Sequence, residues 1–402
     1  MRNPTPTPTP TSVYLIAVGA FALGMASYAT AGLMPMLEQA FSVPMAIAAQ
    51  LVTVFALAYG IGSPLVVALL PRNRQRLGLL GALGLFVLAN VGGALTADFA
   101  LLMLCRALAG LGAGVYLATG ITVCAALSEP ERRGSAIAII MTGMASGTVL
   151  GVPLSLLLAE AAGWQAALWL VALLGAGAWL GLQQLLPAVP AGPTVALRSK
   201  LALLSDRKVL AILLVSLLAA VASLGMYTFI APLMSDPAYG SVGNVTPYLW
   251  VWGLGGVAGS FLVGPLLERI QGPILTLIIM LVLGGALLLL PVMAGLSPWL
   301  ALLPIALWGC VGWALQVPQN NELLAARERH GDGDLAVALN ESALYLGSAL
   351  GAAAGGLLLL WAMPGWALAW SAAGVALLGA VLQLYNVRRL TPLSSPNALR
   401  SR

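Results

Sequence analysis

Two stretches of this chain, GSPLVVALLPR at residues 62–72 and GSFLVGPLLER at residues 259–269, share Gly-Ser, Leu-Val, Leu-Leu and a final Arg at the same spacing. Two further matches occur in the same order: Leu23-Gly24-Met25 with Leu224-Gly225-Met226, and Gly143, Gly147 and Gly151 with Gly347, Gly351 and Gly355. The two members of each match lie about 200 residues apart, which predicts that the chain consists of two repeated halves.

The composition places both halves in a membrane. Apolar residues make up 60% of the chain, charged residues only 8%, and the mean hydropathy is +0.97. A soluble domain has about 25% charged residues, so most of this chain must face lipid or its own interior. Twelve apolar segments are long enough to cross a hydrocarbon core of about 30 Å. The predicted spans are residues 12–37, 46–70, 77–95, 99–127, 134–159, 164–186, 208–234, 244–267, 272–294, 298–325, 335–361 and 364–386.

The basic residues predict the orientation of these spans. All of the 18 Lys and Arg residues except Arg106 fall at the termini or in loops on one side, and the loops on the other side contain no Lys or Arg. An excess of Lys and Arg marks cytoplasmic loops, so both termini are expected to be cytoplasmic. The net charge of +5 therefore reflects topology and does not indicate nucleic-acid binding.

The spans and loops divide the chain into five parts. They are a disordered N-terminal tail (1–11), an N-terminal six-helix bundle (12–186), a cytoplasmic central loop (187–207), a C-terminal six-helix bundle (208–387) and a cytoplasmic tail (388–402). The sequence contains no G-x-x-x-x-G-K-[ST] motif for a nucleotide and no embedded cluster of His and Cys for a metal or haem. We therefore expect a membrane protein that is not an enzyme and has no cofactor.

Four motifs resemble those of a known family. They are Arg106-Ala-Leu-Ala-Gly110-Leu-Gly112-Ala-Gly114, the series Gly143 to Gly151 followed by Val152-Pro153, the loop Glu131-Arg132-Arg133-Gly134, and Ala338-Leu-Asn340-Glu341-Ser342 followed by Gly347 and Gly351. Residues 13–388 resemble the major facilitator superfamily, and within it the twelve-helix drug:proton antiporter branch. The bacterial subgroup of arabinose, sugar and purine-nucleoside efflux proteins and chloramphenicol exporters is the most similar.

This resemblance implies an all-α membrane protein of the major facilitator fold, with twelve transmembrane helices in two six-helix pseudo-repeated bundles. It also implies a monomeric secondary active transporter in a bacterial inner membrane, which exports a small organic molecule by alternating access in exchange for protons. The expected partners are that molecule, protons and the lipid bilayer. The alternatives are an uncoupled facilitator, an exporter dedicated to a sugar, nucleoside or amino acid, and, more remotely, a lipid flippase or membrane enzyme.

Several residues are expected to serve the conformational change: Gly143, Gly147, Gly151, Pro153, Arg72, Glu268 and Arg269. A glycine at every fourth position lines one helix face with hydrogen atoms, so another backbone can approach closely. This face is interpreted either as static packing or as a smooth surface at the boundary on which the halves rock. The sequence departs from the family pattern at two places: the loop after the second span has no acid, and Ser27 occupies the position of a Glu in many relatives.

Arg106 and Glu341 are ionisable side chains well inside predicted spans, where a charge costs about 2.5–3.5 kcal/mol on insertion scales. Arg106 is interpreted either as a group that attracts a ligand or acts on a neighbouring acid, or as a structural Arg satisfied by carbonyl groups. Glu341 is interpreted either as a carboxyl that binds and releases protons, or as an interfacial group paired with loop arginines. The two are the predicted proton-coupling residues and are expected in opposite leaflets, without a direct salt bridge.

Polar and aromatic residues of the spans are expected to line a substrate cavity between the halves. The candidates are Tyr28, Thr30, Tyr59, Arg106, Tyr116, Tyr227, Trp252, Trp313, Gln316 and Asn340. Aromatic side chains are equally common at the membrane interface, which is the alternative interpretation of the aromatic candidates.

Overall fold

The structure is a computed structural model that describes residues 11–71, 74–129, 133–187, 205–239, 242–327 and 333–390. These residues form helices and connecting loops, with no strand among them. Twelve helices have the length and hydropathy to cross a membrane, which confirms the predicted all-α fold and the twelve spans. A helix is the expected form because hydrocarbon offers no partner for a backbone N–H or C=O group.

The twelve helices are numbered α1–α12 in chain order. The first half contains α1 (Thr11–Phe41), α2 (Met45–Ala48, Gln50–Leu57, Ala58–Gly62 and Ser63–Leu69), α3 (Gln75–Leu95), α4 (Phe99–Leu127), α5 (Arg133–Ser146, Gly147–Gly151 and Val152–Ala162) and α6 (Trp164–Leu185). The second half contains α7 (Arg207–Tyr227), α8 (Thr246–Arg269), α9 (Gly272–Leu296), α10 (Leu302–Ala314 and Gln316–Arg327), α11 (Gly333–Leu360) and α12 (Gly365–Leu390). Short helices at Ile230–Ser235 and Pro237–Tyr239 connect α7 to α8, and another at Pro298–Ala301 precedes α10.

Most of the predicted tails and of the central loop 187–207 lies outside the described residues. Helix α1 already begins at Thr11, and helix α12 continues past the predicted end at 387 to Leu390. The face of the protein where α1 begins and α12 ends is called the terminal face below, and the opposite face is called the distal face.

Asp206 fixes the start of the second half at the terminal face. Its side chain accepts a hydrogen bond of 2.9 Å from the backbone N–H of Lys208, which caps the first turn of α7. The same carboxylate forms an ion pair of 2.9 Å with Arg327 at the end of α10. Burial alone would raise the pKa of this carboxyl, but its hydrogen-bond partners outweigh burial and hold the pKa below its ordinary value. Asp206 therefore ties the start of α7 to the end of α10.

The two halves repeat the same helix contact. Gly147 of α5 faces the backbone of Phe21 in α1, and Gly351 of α11 faces the backbone of Val221 in α7. At both sites a Cβ atom on the glycine would run into the opposing carbonyl group. Glycine allows the two backbones to approach closely, which is how helices associate strongly in lipid. The predicted repeat is therefore present as equivalent contacts in space.

The expected position of the glycine face at the boundary between the halves is wrong. The series from Gly143 to Gly151 packs on α1, which belongs to the same half, and other glycines lie at the boundary. Gly60 of α2 lies against the backbone of Ser342 in α11, and Gly253 of α8 lies against Val149 of α5. The sequence pattern identifies a close-packed face, but it does not identify the helix that packs there. A role of the series in the conformational change remains a prediction.

The halves are joined near the distal face and separate towards the terminal face. One buried cluster contains residues of both halves, and its first-half members lie near the distal face, where Leu33 of α1 belongs to the same cluster as Leu249 of α8. Towards the terminal face, one cluster around Ile16 comes almost wholly from the first half, and another around Ile212 comes from the second. The space between the halves is therefore closed on the distal side.

Replacing Gly259 by Ala is expected to destabilise the protein, because the new Cβ would run into the carbonyl group of Cys310 in α10. Overpacking of this kind costs about 1–3 kcal/mol. The matched control is Gly264→Ala in the same helix, where a Cβ has no neighbour within 4 Å. Thermal unfolding followed by fluorescence-detected size exclusion should show a lower midpoint for Gly259→Ala only. Equal midpoints for the two variants would contradict a close contact between α8 and α10 at Gly259.

Candidate functional site

A cavity of about 220 Å³ lies between the halves and is lined by helices from both. Its wall is mostly apolar and includes Met141, Met144, Leu224, Leu283, Trp313 and Leu344. The main polar groups are Tyr28, Ser223, Ser260, Gln316, Glu341 and Tyr345. An apolar wall with a few placed polar groups is typical of sites that bind small organic molecules. We call this space the large cavity.

Glu341 is the ionisable carboxyl of the large cavity. It lies in the third turn of α11, and its Oε1 accepts a hydrogen bond of 3.3 Å from Nε2 of Gln316 in α10. Within the described ranges Glu341 forms no ion pair, and no Lys, Arg or His lines the large cavity. The predicted pairing with loop arginines is therefore not seen among the described residues. A carboxylate in such a wall must be neutralised by a proton or by a cationic ligand.

An aromatic cluster closes the large cavity towards the distal face. The ring of Tyr28 in α1 lies 5.4 Å from that of Tyr227 in α7 and 6.0 Å from that of Trp252 in α8. Trp252 is fully buried and packs at 6.0 Å against Trp313, which lines the cavity. Contacts of this geometry contribute about 0.5–1.5 kcal/mol beyond area burial. The cluster joins the first half to the second at the end of the cavity.

A second cavity of about 20 Å³ lies beside this cluster on the distal side. Tyr28, Leu224 and Tyr345 line both cavities and form the partition between them. The hydroxyl groups of Tyr345 and Ser27 are 3.3 Å apart. We call this space the small cavity.

Tyr345 is held in the partition by a ring stack across the boundary. Its ring lies on that of Tyr59, with centroids 3.5 Å apart and planes at 18°. Tyr59 lies in a π-helical turn, Ala58–Gly62, that interrupts α2 where it meets α11. Single π-helical turns inside α-helices are frequent at functional sites.

Arg106 is buried in the first half and lines neither cavity. Its side chain is 3% exposed, and Nη2 donates a hydrogen bond of 3.1 Å to the carbonyl of Ala26. The guanidinium lies 4.3 Å above the ring of Phe55, in the geometry of a cation–π contact. Nε and Nη1 have no partner among the described residues. These contacts agree with a structural Arg, and Arg106 reaches the small cavity only through Phe55.

Comparison with known proteins decides the family. Residues 16–331 match the model of the Major Facilitator Superfamily. The chain belongs to this superfamily. It is therefore a transporter and not an enzyme, and it crosses the membrane many times.

Several relatives of this transporter are named as exporters or transport proteins. The inner membrane transport protein YdhP of Escherichia coli (strain K12) is 32% identical over 349 residues, which are 85% of this chain and 87% of the relative. A chloramphenicol resistance protein of Streptomyces lividans is 34% identical over 279 residues, 65% of this chain and 70% of the relative. A probable sugar efflux transporter of Pasteurella multocida (strain Pm70) is 27% identical over 310 residues, 76% of each chain.

Solved structures agree on the fold. A bacterial homologue of the human lysosomal transporter Spinster, in an inward-facing and unoccupied conformation, has a TM-score of 0.69 at 16% identity, covering 95% of this chain and 96% of the other. The human organic anion transporter MFSD10 has a TM-score of 0.67 at 18% identity, covering 94% and 100%. At this identity the likeness shows the fold alone.

Seven of the ten predicted substrate-binding residues lie at the two cavities or contact their walls. Tyr28, Trp313 and Gln316 line the large cavity, and Tyr28 and Tyr227 line the small one. Tyr59 stacks on Tyr345, Trp252 packs on Tyr28 and Trp313, and Arg106 lies on Phe55. Their part in substrate binding remains a prediction.

Thr30, Tyr116 and Asn340 line neither cavity, which corrects their expected position. The hydroxyl of Tyr116 donates to the carbonyl of Ile16 at 3.1 Å, and the amide of Asn340 donates to Asn320 at 2.8 Å. Thr30 is 3% exposed inside the packed part of α1. These side chains lie in contacts between or within helices, and residue type alone does not reveal which side of a helix faces a cavity.

The main lining residues that sequence reasoning missed are Tyr345, Ser223 and Ser260. Tyr345 follows Glu341 by four positions in α11, and this helical spacing places both on one face. That signal was present in the sequence. Ser260 belongs to the repeated stretch 259–269, but the repeat does not show that it faces a cavity, and Ser223 belongs to no motif.

Two of the charged residues expected to serve the conformational change, Glu268 and Arg269, lie at the terminal face. Glu268 and Arg269 are exposed at the end of α8, and neither forms an ion pair with another residue in the described part of the chain. Arg72, their counterpart after α2, lies outside the described residues. Pro153 lies just after the π-helical turn Gly147–Gly151 of α5. Their conformational roles remain predictions.

Labelling should show that the large cavity is reached from the terminal face. In a variant without Cys105, Cys124 and Cys310, Ser260→Cys is expected to react with a membrane-impermeant maleimide added on that side, because Ser260 is exposed and lines the cavity. A fully buried control, Ser216→Cys on α7, should stay unlabelled. A cleavable C-terminal tag identifies the side of the membrane in vesicles of each orientation. Labelling of Ser260→Cys from the distal side alone would contradict the described state.

Proposed function

We propose that this transporter exports small, largely apolar organic molecules from the cytosol across a bacterial inner membrane, as a monomer, in exchange for protons. The observation that carries the proposal is the position of Glu341, a carboxyl without an ionic partner among the described residues, in a cavity that both halves line. In such a wall the carboxyl is neutralised by a proton or by a cationic ligand. Because the proton and the ligand replace each other at this carboxyl, the movement of one is coupled to the movement of the other.

The transport cycle follows from alternating access between the two bundles. The positive-inside pattern orients the termini, and thus the terminal face, towards the cytosol. The large cavity then receives substrate from the cytosol while the buried cluster around Leu33 and Leu249 closes the other side. Rocking of the halves opens the distal side and releases the substrate. A proton bound at Glu341 accompanies the return.

The wall of the large cavity favours a lipophilic substrate over a sugar. A sugar exposes a hydroxyl group on almost every carbon, and each buried hydroxyl without a hydrogen bond costs about 1–3 kcal/mol. Apolar side chains such as Met141, Leu283 and Leu344 make up most of the wall. Methionine is unbranched and adapts to ligands of different shape. The chloramphenicol resistance relative supports this choice more than the sugar efflux relative does.

An uncoupled facilitator is the second candidate. Ser27 on α1 replaces the acid that many relatives have at this position, so proton coupling has one carboxyl fewer. The two functions differ in one measurable property, which is accumulation of substrate against its own gradient.

Proton coupling is tested in proteoliposomes that enclose a pH-sensitive dye. Chloramphenicol, tetraphenylphosphonium and arabinose provide a neutral drug, a lipophilic cation and a sugar. The proposal expects proton movement with at least one of the first two, and less with arabinose. Transport of arabinose alone would refute the lipophilic substrate class.

Replacing Glu341 by Gln is expected to reduce proton-driven accumulation at least about tenfold, while exchange of labelled for unlabelled substrate continues. Exchange needs the conformational change but no net proton movement. The control is Glu322→Gln at the terminal end of α10, where the carboxyl accepts a hydrogen bond from Thr276 and lines neither cavity. Unchanged accumulation by Glu341→Gln would exclude Glu341 as the coupling group. A wild type that exchanges substrate without proton movement or accumulation would favour the facilitator.

A further inference from the structure

Glu341 is much nearer to the terminal face than to the distal face. At 1.5 Å per residue it lies about 12 Å from the start of α11 at Gly333 and about 28 Å from its end at Leu360. A carboxyl that couples transport to protons must exchange them with both sides in turn. The large cavity serves the terminal side. A route to the distal side has to come from other groups.

The small cavity lies on that route. Its 20 Å³ exceed the approximately 10–15 Å³ that one water molecule needs. More than half of its lining residues carry a hydroxyl group: Ser27, Tyr28, Tyr227, Thr228, Tyr345 and Ser348. A cavity lined by hydrocarbon alone stays dry, whereas a buried water needs two to four polar partners, which these hydroxyl groups provide.

The hydroxyl of Tyr345 connects the small cavity to the large one. Ser27 donates its single hydrogen to the carbonyl of Leu23 at 2.9 Å, so Tyr345 must donate in the 3.3 Å contact between the two hydroxyls. The oxygen of Tyr345 can therefore still accept a hydrogen bond. Glu341 lies one helical turn before Tyr345 on the same face, and both line the large cavity.

We propose that the small cavity holds a water molecule, and that the hydroxyl groups of Tyr345 and Ser27 connect this water with Glu341 as the proton route to the distal side. This inference rests on the proposed exchange of substrate for protons. In each transfer one O–H bond breaks and one forms. A proton that arrives from the distal side makes the water a hydronium ion, which gives a proton to the oxygen of Tyr345 and is left as neutral water. The hydroxyl of Tyr345 turns from Ser27 to Glu341, passes its own hydrogen to the carboxylate and stays neutral overall.

Besides Glu341 and the tyrosines, no acid or base lines either cavity in the described part of the chain, and Arg106 lies behind the ring of Phe55. The groups that face Glu341 and Tyr345 from the neighbouring helices are Tyr28 of α1, Tyr59 of α2, Tyr227 of α7 and Gln316 of α10. The stack on Tyr59 fixes the ring of Tyr345 and makes Tyr59 a positioning residue. The buried cluster around Leu33 and Leu249 closes the distal side of the route in this state. Protons therefore pass only after the halves rock.

The test is Tyr345→Phe, which removes the hydroxyl and keeps the ring stack. In proteoliposomes, the ratio of proton-driven accumulation to exchange, measured with tetraphenylphosphonium and with chloramphenicol, is expected to fall at least about tenfold. Ser27→Ala should act in the same direction, and Ser27→Thr, which keeps a hydroxyl, should restore accumulation. Unchanged accumulation by Tyr345→Phe would overturn the route, as would an equal loss of accumulation and exchange.

The matched control is Tyr116→Phe. Its hydroxyl is also buried and also donates to a helix carbonyl, that of Ile16, but it lies away from both cavities. Both rates should stay unchanged, and a loss equal to that of Tyr345→Phe would assign the effect to helix packing and refute the route. If the unaltered protein exchanges probes but never accumulates them, the proposed proton exchange fails and the route fails with it. If the wild type and Tyr345→Phe both accumulate the probes to the same extent, the route is refuted while the proposed proton exchange stands.

Discussion

Lipid cannot hydrogen-bond to a peptide group, and this constraint governs the rest of the structure. Each of the twelve spanning segments is helical, and a helix satisfies its own backbone in hydrocarbon without a partner segment. Lipid also provides little hydrophobic force to bring helices together, so they associate by close packing. The contacts of Gly147 with Phe21 and of Gly351 with Val221 meet this need in the two halves. The two halves therefore pack their first and fifth helices through equivalent glycine contacts.

The same low polarity decides where charge can be placed. The positive charge of Arg106 is accommodated inside the first half by the carbonyl of Ala26 and the ring of Phe55. Glu341 lies instead in a cavity between the halves, with an amide hydrogen bond from Gln316. Arg106 thus lies among packed helices, with Nε and Nη1 without a partner among the described residues, whereas the carboxyl of Glu341 faces open space in which it can bind a proton or a ligand.

The halves are alike in packing and different in chemistry. The boundary helices α2 and α5 each contain a π-helical turn, whereas their counterparts α8 and α11 are regular throughout. The carboxyl, the tryptophans and Gln316 of the cavity all come from the second half. Equivalent backbones provide two bundles that can move against each other, and the differences between them provide the site.

The sequence by itself determined the membrane location, the twelve spans, the two-halved repeat and the position of Glu341 as an embedded carboxyl. These properties depend on hydropathy, spacing and residue type, which are local and can be read along the chain. Only the tertiary structure decided that the glycine series packs within a half, that Tyr116 and Asn340 contact other helices, and that Tyr345 separates two cavities. Each of these depends on which side of a helix faces which neighbour, and in a chain that is apolar on nearly every face the sequence carries little record of that rotation.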